Sequence, residues 1–245
     1  MLASISPVAY GSSVGVAGLV CAALCIEARR RPGAWTIVAA RAMGLGLAVD
    51  AVSFAVSQAM QGAWSASSSL PLALCNMAVL VAIPACWWQI PVLIELTWFW
   101  GMAGTLQAVA TPDLAVGFPH LVFFQYVIGH LGIVLPAVDL VVGLRFTSRP
   151  RAVRRVFTLT AAYTAGVGLV DALTGANYMF LRQPPSNWTL LRLLGPWPWY
   201  IASAAGLALA LLIVLDAPFR HARHDASGSR RATRATGFHR HPAAG

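Results

Sequence analysis

Charged residues are scarce in this chain. Only 10% of its 245 residues are charged, whereas soluble domains carry about a quarter. Lysine is absent altogether, so the 17 basic residues other than histidine are all arginine. The low charge excludes an ordinary soluble domain. The missing lysine excludes a retinal Schiff base, and with it the light-driven seven-helix pumps.

Cysteine patterns that bind metal or form a disulfide framework are also missing. The four cysteines, Cys21, Cys25, Cys75 and Cys86, lie inside apolar segments and show no C-x-x-C spacing. Glycine-rich phosphate loops and clusters of metal ligands do not occur in the sequence either. We therefore expect neither a metal nor a cofactor.

Long hydrophobic runs are abundant. Hydrophobic residues make up 58% of the chain, and the mean hydropathy is +0.68. An apolar helix of about 20 residues crosses the roughly 30 Å hydrocarbon core of a bilayer. We predict an all-α polytopic bundle within residues 1–219, followed by a disordered basic tail over 220–245. Its seven predicted transmembrane helices cover about residues 8–26, 35–59, 70–88, 93–110, 119–144, 156–173 and 198–215.

The distribution of arginine predicts the topology. Arginines cluster at 29–31, between 145 and 155, and six times after residue 219, but only Arg182 and Arg192 lie in the loops on the other side. Because cytoplasmic loops are rich in basic residues, we predict an outer N-terminus and a cytoplasmic C-terminus. The net charge of +9 then reflects topology and not nucleic-acid binding. Multi-pass insertion in the cell membrane is the expected location.

Unusual short motifs, rich in polar and aromatic residues, lie at the predicted outer ends of the helices. Intramembrane polar groups usually face the bundle interior and mark a site. We therefore expect the five motifs, each at a different helix end, to form one polar site on the extracytoplasmic side. In chain order they are LPLALC, LQAVATPDL, FPHLVFFQYVIGH, GANYMFLR and GPWPWY.

These motifs resemble those of the YwaF-like integral membrane proteins, a family of bacterial multi-spanning proteins. The resemblance covers about residues 70–218. The family is similar in turn to a eukaryotic membrane cysteine acyltransferase that moves fatty acyl chains between phospholipids. It implies a Cys and His pair, which falls on Cys75 and His130. This chain has Ala73 and Asn76 where the family pattern often has His and an acid.

The chemistry of such a pair follows from the side chains. A thiol acts as a nucleophile in its thiolate form, and a neighbouring imidazole can accept its proton. We therefore predict Cys75 as nucleophile and His130 as base of a lipid acyltransferase or transacylase. Either Gln107 or Gln125 would donate a hydrogen bond to the tetrahedral oxyanion.

Further polar residues are candidates for substrate binding. Arg182 lies on the outer side against the charge rule, so we predict that it contacts a phosphate, with Asn177 and Tyr178 at the same phospholipid or lysophospholipid headgroup. Asp113 is a loop residue or a helix cap, or alternatively it orients the catalytic histidine.

Two other functions remain open from the sequence. In a transporter or channel, Asp50, Gln107, Gln125 and His130 would line a polar path. In a non-catalytic membrane scaffold, the same groups would only support packing.

Overall fold

The protein is an all-helical bundle. The computed structural model describes residues 6–62, 64–112, 114, 116–184 and 193–237. The helices in chain order are α1 (Pro7–Arg30), α2 (Ala34–Met60), α3 (Leu74–Trp88), α4 (Pro91–Trp100), α5 (Leu106–Ala110), α6 (Leu121–Val138), α7 (Ala152–Thr174) and α8 (Trp199–Gly237).

Two π-helical turns interrupt the regular helices. The first, Gly101–Thr105, joins α4 to α5, and the second, Asp139–Gly143, continues α6. Each composite helix is long and apolar enough to span a bilayer. A π-turn inserts one residue into a helix and often marks a functional site. Pro136, which has no backbone N–H to donate to the preceding turn, lies three residues before the second π-turn.

The predicted all-α polytopic bundle is confirmed by the helices. Six helices or composite helices of the described residues are long and apolar enough to cross a membrane. The seventh, α3, has only 15 residues, which at about 1.5 Å per residue falls short of a 30 Å core. The bundle is therefore that of a multi-pass membrane protein with one shorter apolar helix.

Helix α3 is the centre of the bundle. Its residues Ala78, Ala82, Ala85 and Cys86 are all fully buried, and it packs against α2, α4 and α6. The small side chains allow close approach, as is typical of membrane helix contacts. Because α3 and α6 are neighbours, residues from these two helices can share one site.

The helix ends form two opposite faces. At the first, which we call the arginine end, Arg29 Nε donates to the Val142 carbonyl at 2.9 Å. At the second, the loop end, the Tyr10 hydroxyl donates to the Val109 carbonyl at 2.7 Å. The arginine end corresponds to the face that the sequence predicts to be cytoplasmic.

Helix α8 extends past the predicted span. It continues to Gly237, whereas the sequence predicted a disordered tail from residue 220. Arginine and alanine both have high helix propensity, which accounts for continued helix in a segment without an apolar face.

Candidate functional site

Cys75 is the second residue of α3, at the loop end of the bundle. Its half-buried thiol lies near two hydrogen-bonding groups, the Thr105 side chain and its own backbone N–H. That N–H belongs to the first turn of a helix, where amides have no intrahelical acceptor. The start of α3 therefore places the Cys75 thiol beside two hydrogen-bond donors.

Thr105 ends the first π-turn and was not predicted as a site residue. It is only 1% exposed, and its hydroxyl has no hydrogen-bond partner of ordinary geometry. Buried hydroxyls are usually satisfied, so an unsatisfied one calls for an explanation. The neighbouring Gly104 lies beside α3, because a Cβ there would make an ordinary van der Waals contact with Leu74 Cδ2 at 3.6 Å.

His130 lies in the middle of α6 in a fixed orientation. Its Nδ1 lies 2.8 Å from the Tyr126 carbonyl oxygen, and its ring stacks on that of Tyr126 with centroids 4.0 Å apart. A carbonyl can only accept, so Nδ1 carries the proton and Nε2 is left with a lone pair. This is the arrangement that a general base requires.

The packing of α6 on the first π-turn relates the two side chains. A Cβ on Gly101 would lie 3.1 Å from Ala137 Cβ and 3.3 Å from Ile133 Cγ2. His130 precedes Ala137 by seven residues and so shares its face of α6. Thr105 lies about 6 Å beyond Gly101 along its helix, near the level of His130. The helices that carry Cys75 and His130, α3 and α6, thus both pack against the first π-turn, and no hydrogen bond joins the two side chains.

The two predicted oxyanion donors are engaged elsewhere. The Gln107 amide is exposed and donates to the Ala103 carbonyl of its own helix at 2.7 Å. The Gln125 amide is buried and donates to Ser53 Oγ at 3.2 Å, between α6 and α2. Asp50 lies beside the same contact, because its carboxylate is 3.2 Å from where a Cβ on Gly129 would be.

The predicted headgroup residues organise a loop. Asn177 Oδ1 accepts from the backbone N–H groups of Arg182 and Gln183, at 3.0 and 3.2 Å. The Arg182 Nη1 donates to the Asp171 and Ala176 carbonyls, both at 3.4 Å, at the end of α7. Asp113, the remaining predicted residue, lies outside the described residues.

Tyr178 connects two loops through hydrogen bonds. Its hydroxyl accepts from the Leu70 N–H at 2.9 Å and donates to the Ala66 carbonyl at 3.1 Å. Its own N–H donates to Asp171 Oδ1 at 2.9 Å. The sequence predicted Tyr178 at the headgroup site. It did not predict Asp171, whose buried carboxylate accepts the Tyr178 N–H.

Glu95 anchors the arginine end. Its side chain is 0% exposed and is paired with Arg149 at 3.0 Å and with Arg155 at 2.9 Å. The hydrogen bonds from Arg149 to this carboxylate raise the pKa of the Arg149 guanidinium. The pair ties the loop before α7 to α4 and lies at the opposite end of the bundle from Cys75.

Comparison with known proteins identifies a family. The sequence model of the TMEM164 family matches residues 3–216, most of the chain. That match does not confirm the resemblance to YwaF-like proteins. No curated protein and no solved structure is found to match.

Proposed function

The chain belongs to the TMEM164 family, and we propose that it is a membrane-embedded lipid acyltransferase whose nucleophile is Cys75 and whose base is His130. The observation that supports this proposal is that α3 and α6, the helices that carry Cys75 and His130, both pack against the first π-turn. Cys75 lies beside Thr105 of this turn, and His130 Nδ1 lies 2.8 Å from a backbone carbonyl of α6.

The reaction is a transfer of an acyl group in two steps. The Cys75 sulfur attacks the carbonyl carbon of a phospholipid ester while His130 Nε2 takes the thiol proton. Collapse of the tetrahedral intermediate breaks the ester bond, and the proton passes to the departing lysophospholipid alkoxide. A second lysophospholipid hydroxyl then gives its proton to His130 and attacks the thioester. Collapse of this second intermediate expels the Cys75 thiolate, to which His130 returns the proton, and the products are a new phospholipid ester and the free thiol.

Thr105 supplies the hydrogen bond that the two glutamines do not. In this proposal its buried hydroxyl donates to the tetrahedral oxyanion, together with the Cys75 backbone N–H. Removal of one such donor typically lowers kcat by about 10²–10³-fold. An unsatisfied hydroxyl in the resting protein is what this role requires, because the acceptor exists only during the reaction.

The substrates are membrane lipids. The exposed apolar surface of the spans, including Leu121, Val122 and Phe124 at the start of α6, supports a substrate with acyl chains. We assign the protein to the cell membrane, with phospholipid as donor and lysophospholipid as acceptor. Asn177 and Arg182 act by shaping the loop over the site.

Acyl exchange in detergent tests the proposal. Purified protein is mixed with a phospholipid and a lysophospholipid of different chain lengths, and mass spectrometry follows the mixed-chain product. We expect Cys75→Ser to abolish the product. We expect His130→Gln to lower the rate by about 10²–10⁴-fold, the usual contribution of a general base.

Cys86→Ser is the matched control. It makes the same substitution in the same helix, at a fully buried position away from the π-turn, and should leave the acyl-exchange rate of the folded protein nearly unchanged. Full activity of Cys75→Ser, or equal losses in both serine variants, would refute the assignment of the nucleophile.

A further inference from the structure

A cavity of about 590 Å³ opens at the arginine end of the bundle. Its volume is within the range of about 300–1,000 Å³ that is usual for small-molecule sites. It lies at the start of α7, far from the site around Cys75. The residues that line it are Pro150, Arg151, Arg154, Arg155 and Thr158.

The arginines around this cavity differ in their partners. Arg149 and Arg155 are both paired with the buried carboxylate of Glu95. In the part of the chain that the structure describes, Arg151 and Arg154 have no ion pair and no side-chain hydrogen bond. Two exposed guanidinium groups therefore face the cavity without a neutralising carboxylate.

The local charge favours an anion in the cavity. Only two of the four arginines in this segment are paired with Glu95, and the first turn of α7 contains no acidic residue and no side-chain cap. The N-terminus of a helix carries a positive partial charge, so cations there are unfavourable. A bound anion would offset both the unpaired charge of Arg151 and Arg154 and the positive end of the helix dipole.

The position of the cavity relative to the membrane indicates where the anion comes from. From Arg151 to Thr158 the helix rises about 10 Å, which exceeds the depth of roughly 5–8 Å for one headgroup layer. Leu159, the next residue, is 42% exposed on the hydrocarbon-facing surface of a spanning helix. Because α7 is long and apolar enough to span a bilayer from Ala152 onward, we expect the cavity at its start to lie beside the lipid headgroups.

We propose that Arg151 and Arg154 bind the phosphate group of an anionic phospholipid from the leaflet at the arginine end. Guanidinium groups bind phosphate oxygens in pairs, with a fork of two N–H donors. The acyl chains of the lipid would lie against α7 below Thr158. This site is separate from the acyl-transfer site and is independent of that activity.

Lipid retention in native mass spectrometry tests the proposal. The purified protein is titrated with dioleoyl phosphatidylglycerol in detergent, with dioleoyl phosphatidylcholine as the neutral lipid. We expect one phosphatidylglycerol to bind more tightly than phosphatidylcholine. Arg151→Gln/Arg154→Gln should weaken its binding by at least about tenfold, because hydrogen bonds from charged donors are lost.

Arg30→Gln/Arg145→Gln is the control for charge. It removes the same charge from exposed positions at the arginine end that do not line the cavity, and should leave phosphatidylglycerol binding unchanged. An equal loss in the two double variants would overturn the proposal in favour of general attraction between charges. The single variants Arg151→Gln and Arg154→Gln, each expected to bind more weakly, are measured alongside in case the double variant does not fold.

A competition experiment shows whether the bound anion is a lipid or soluble phosphate. Inorganic phosphate at millimolar concentration should not displace phosphatidylglycerol from the wild-type protein. If phosphate binds with the same dependence on Arg151 and Arg154 while the lipid shows no preference over phosphatidylcholine, the site is for a soluble anion and the lipid assignment is wrong.

Discussion

Replacement of Gly44 by alanine should loosen the contact between α2 and α3. A Cβ at this position would lie 2.9 Å from Cys86 Cβ and 2.9 Å from Trp87 Cδ1, well inside the favourable separation of about 3.5–4.0 Å between carbon atoms. The Trp87 ring can rotate, but Cys86 Cβ is attached to the backbone of a fully buried residue. The two helices must therefore move apart.

The expected loss of stability follows from known overpacking. Extra methyl groups in packed cores cost about 1–3 kcal/mol. Gly46→Ala is the control, because a Cβ on Gly46 meets no atom within 4 Å and both changes bring the same gain in helix propensity. The difference between the two variants is therefore about 1–3 kcal/mol, or roughly 5- to 150-fold in the unfolding equilibrium constant.

Reversible unfolding in mixed micelles measures this difference. Tryptophan fluorescence is followed as the fraction of sodium dodecyl sulfate increases, and the midpoints of the two variants are compared with that of the wild-type protein. Gly44→Ala should unfold at a lower fraction and Gly46→Ala at the same or a higher one. Equal midpoints would show that α2 and α3 are not in close contact at Gly44, and the packing around α3 described above would be wrong.

Three further predictions concern the two ends of the bundle. Glu95→Gln should destabilise the protein by about 3–5 kcal/mol, since two arginines lose their buried partner, whereas Glu27→Gln, in an exposed pair, should cost less than about 1 kcal/mol in the same unfolding assay. Tyr178→Phe should lower the free energy of unfolding by about 1–3 kcal/mol and increase proteolysis of the 64–73 loop. Unchanged cleavage would contradict the contact between Tyr178 and this loop. An impermeant maleimide should label Ser67→Cys in whole cells above the wild-type background but not Thr147→Cys, and the reverse pattern would invert the topology.

The spans could be predicted because length and hydropathy alone decide them. The second span was predicted at 35–59 and is Ala34–Met60. The start of the third was predicted at 70, whereas α3 begins at Leu74. The Tyr178 hydroxyl accepts from the Leu70 N–H, and the Tyr163 hydroxyl donates to the Leu72 carbonyl at 2.8 Å. These tertiary bonds hold the segment outside the helix, and no local pattern reveals them.

Which side chains surround the site depends on a register that hydrophobic periodicity does not contain. Cysteine and histidine stand out in apolar sequence, so Cys75 and His130 could be singled out by residue type. The first π-turn adds one residue to its helix, which rotates the faces on its two sides by about 100° relative to each other. Gln107 follows this turn and is exposed, whereas Thr105 ends it and is buried beside Cys75. The sequence could predict the position of Gln107 along its helix but not the direction of its side chain. Threonine in the segment GMAGTLQ gave no signal beyond that of a small residue among glycines.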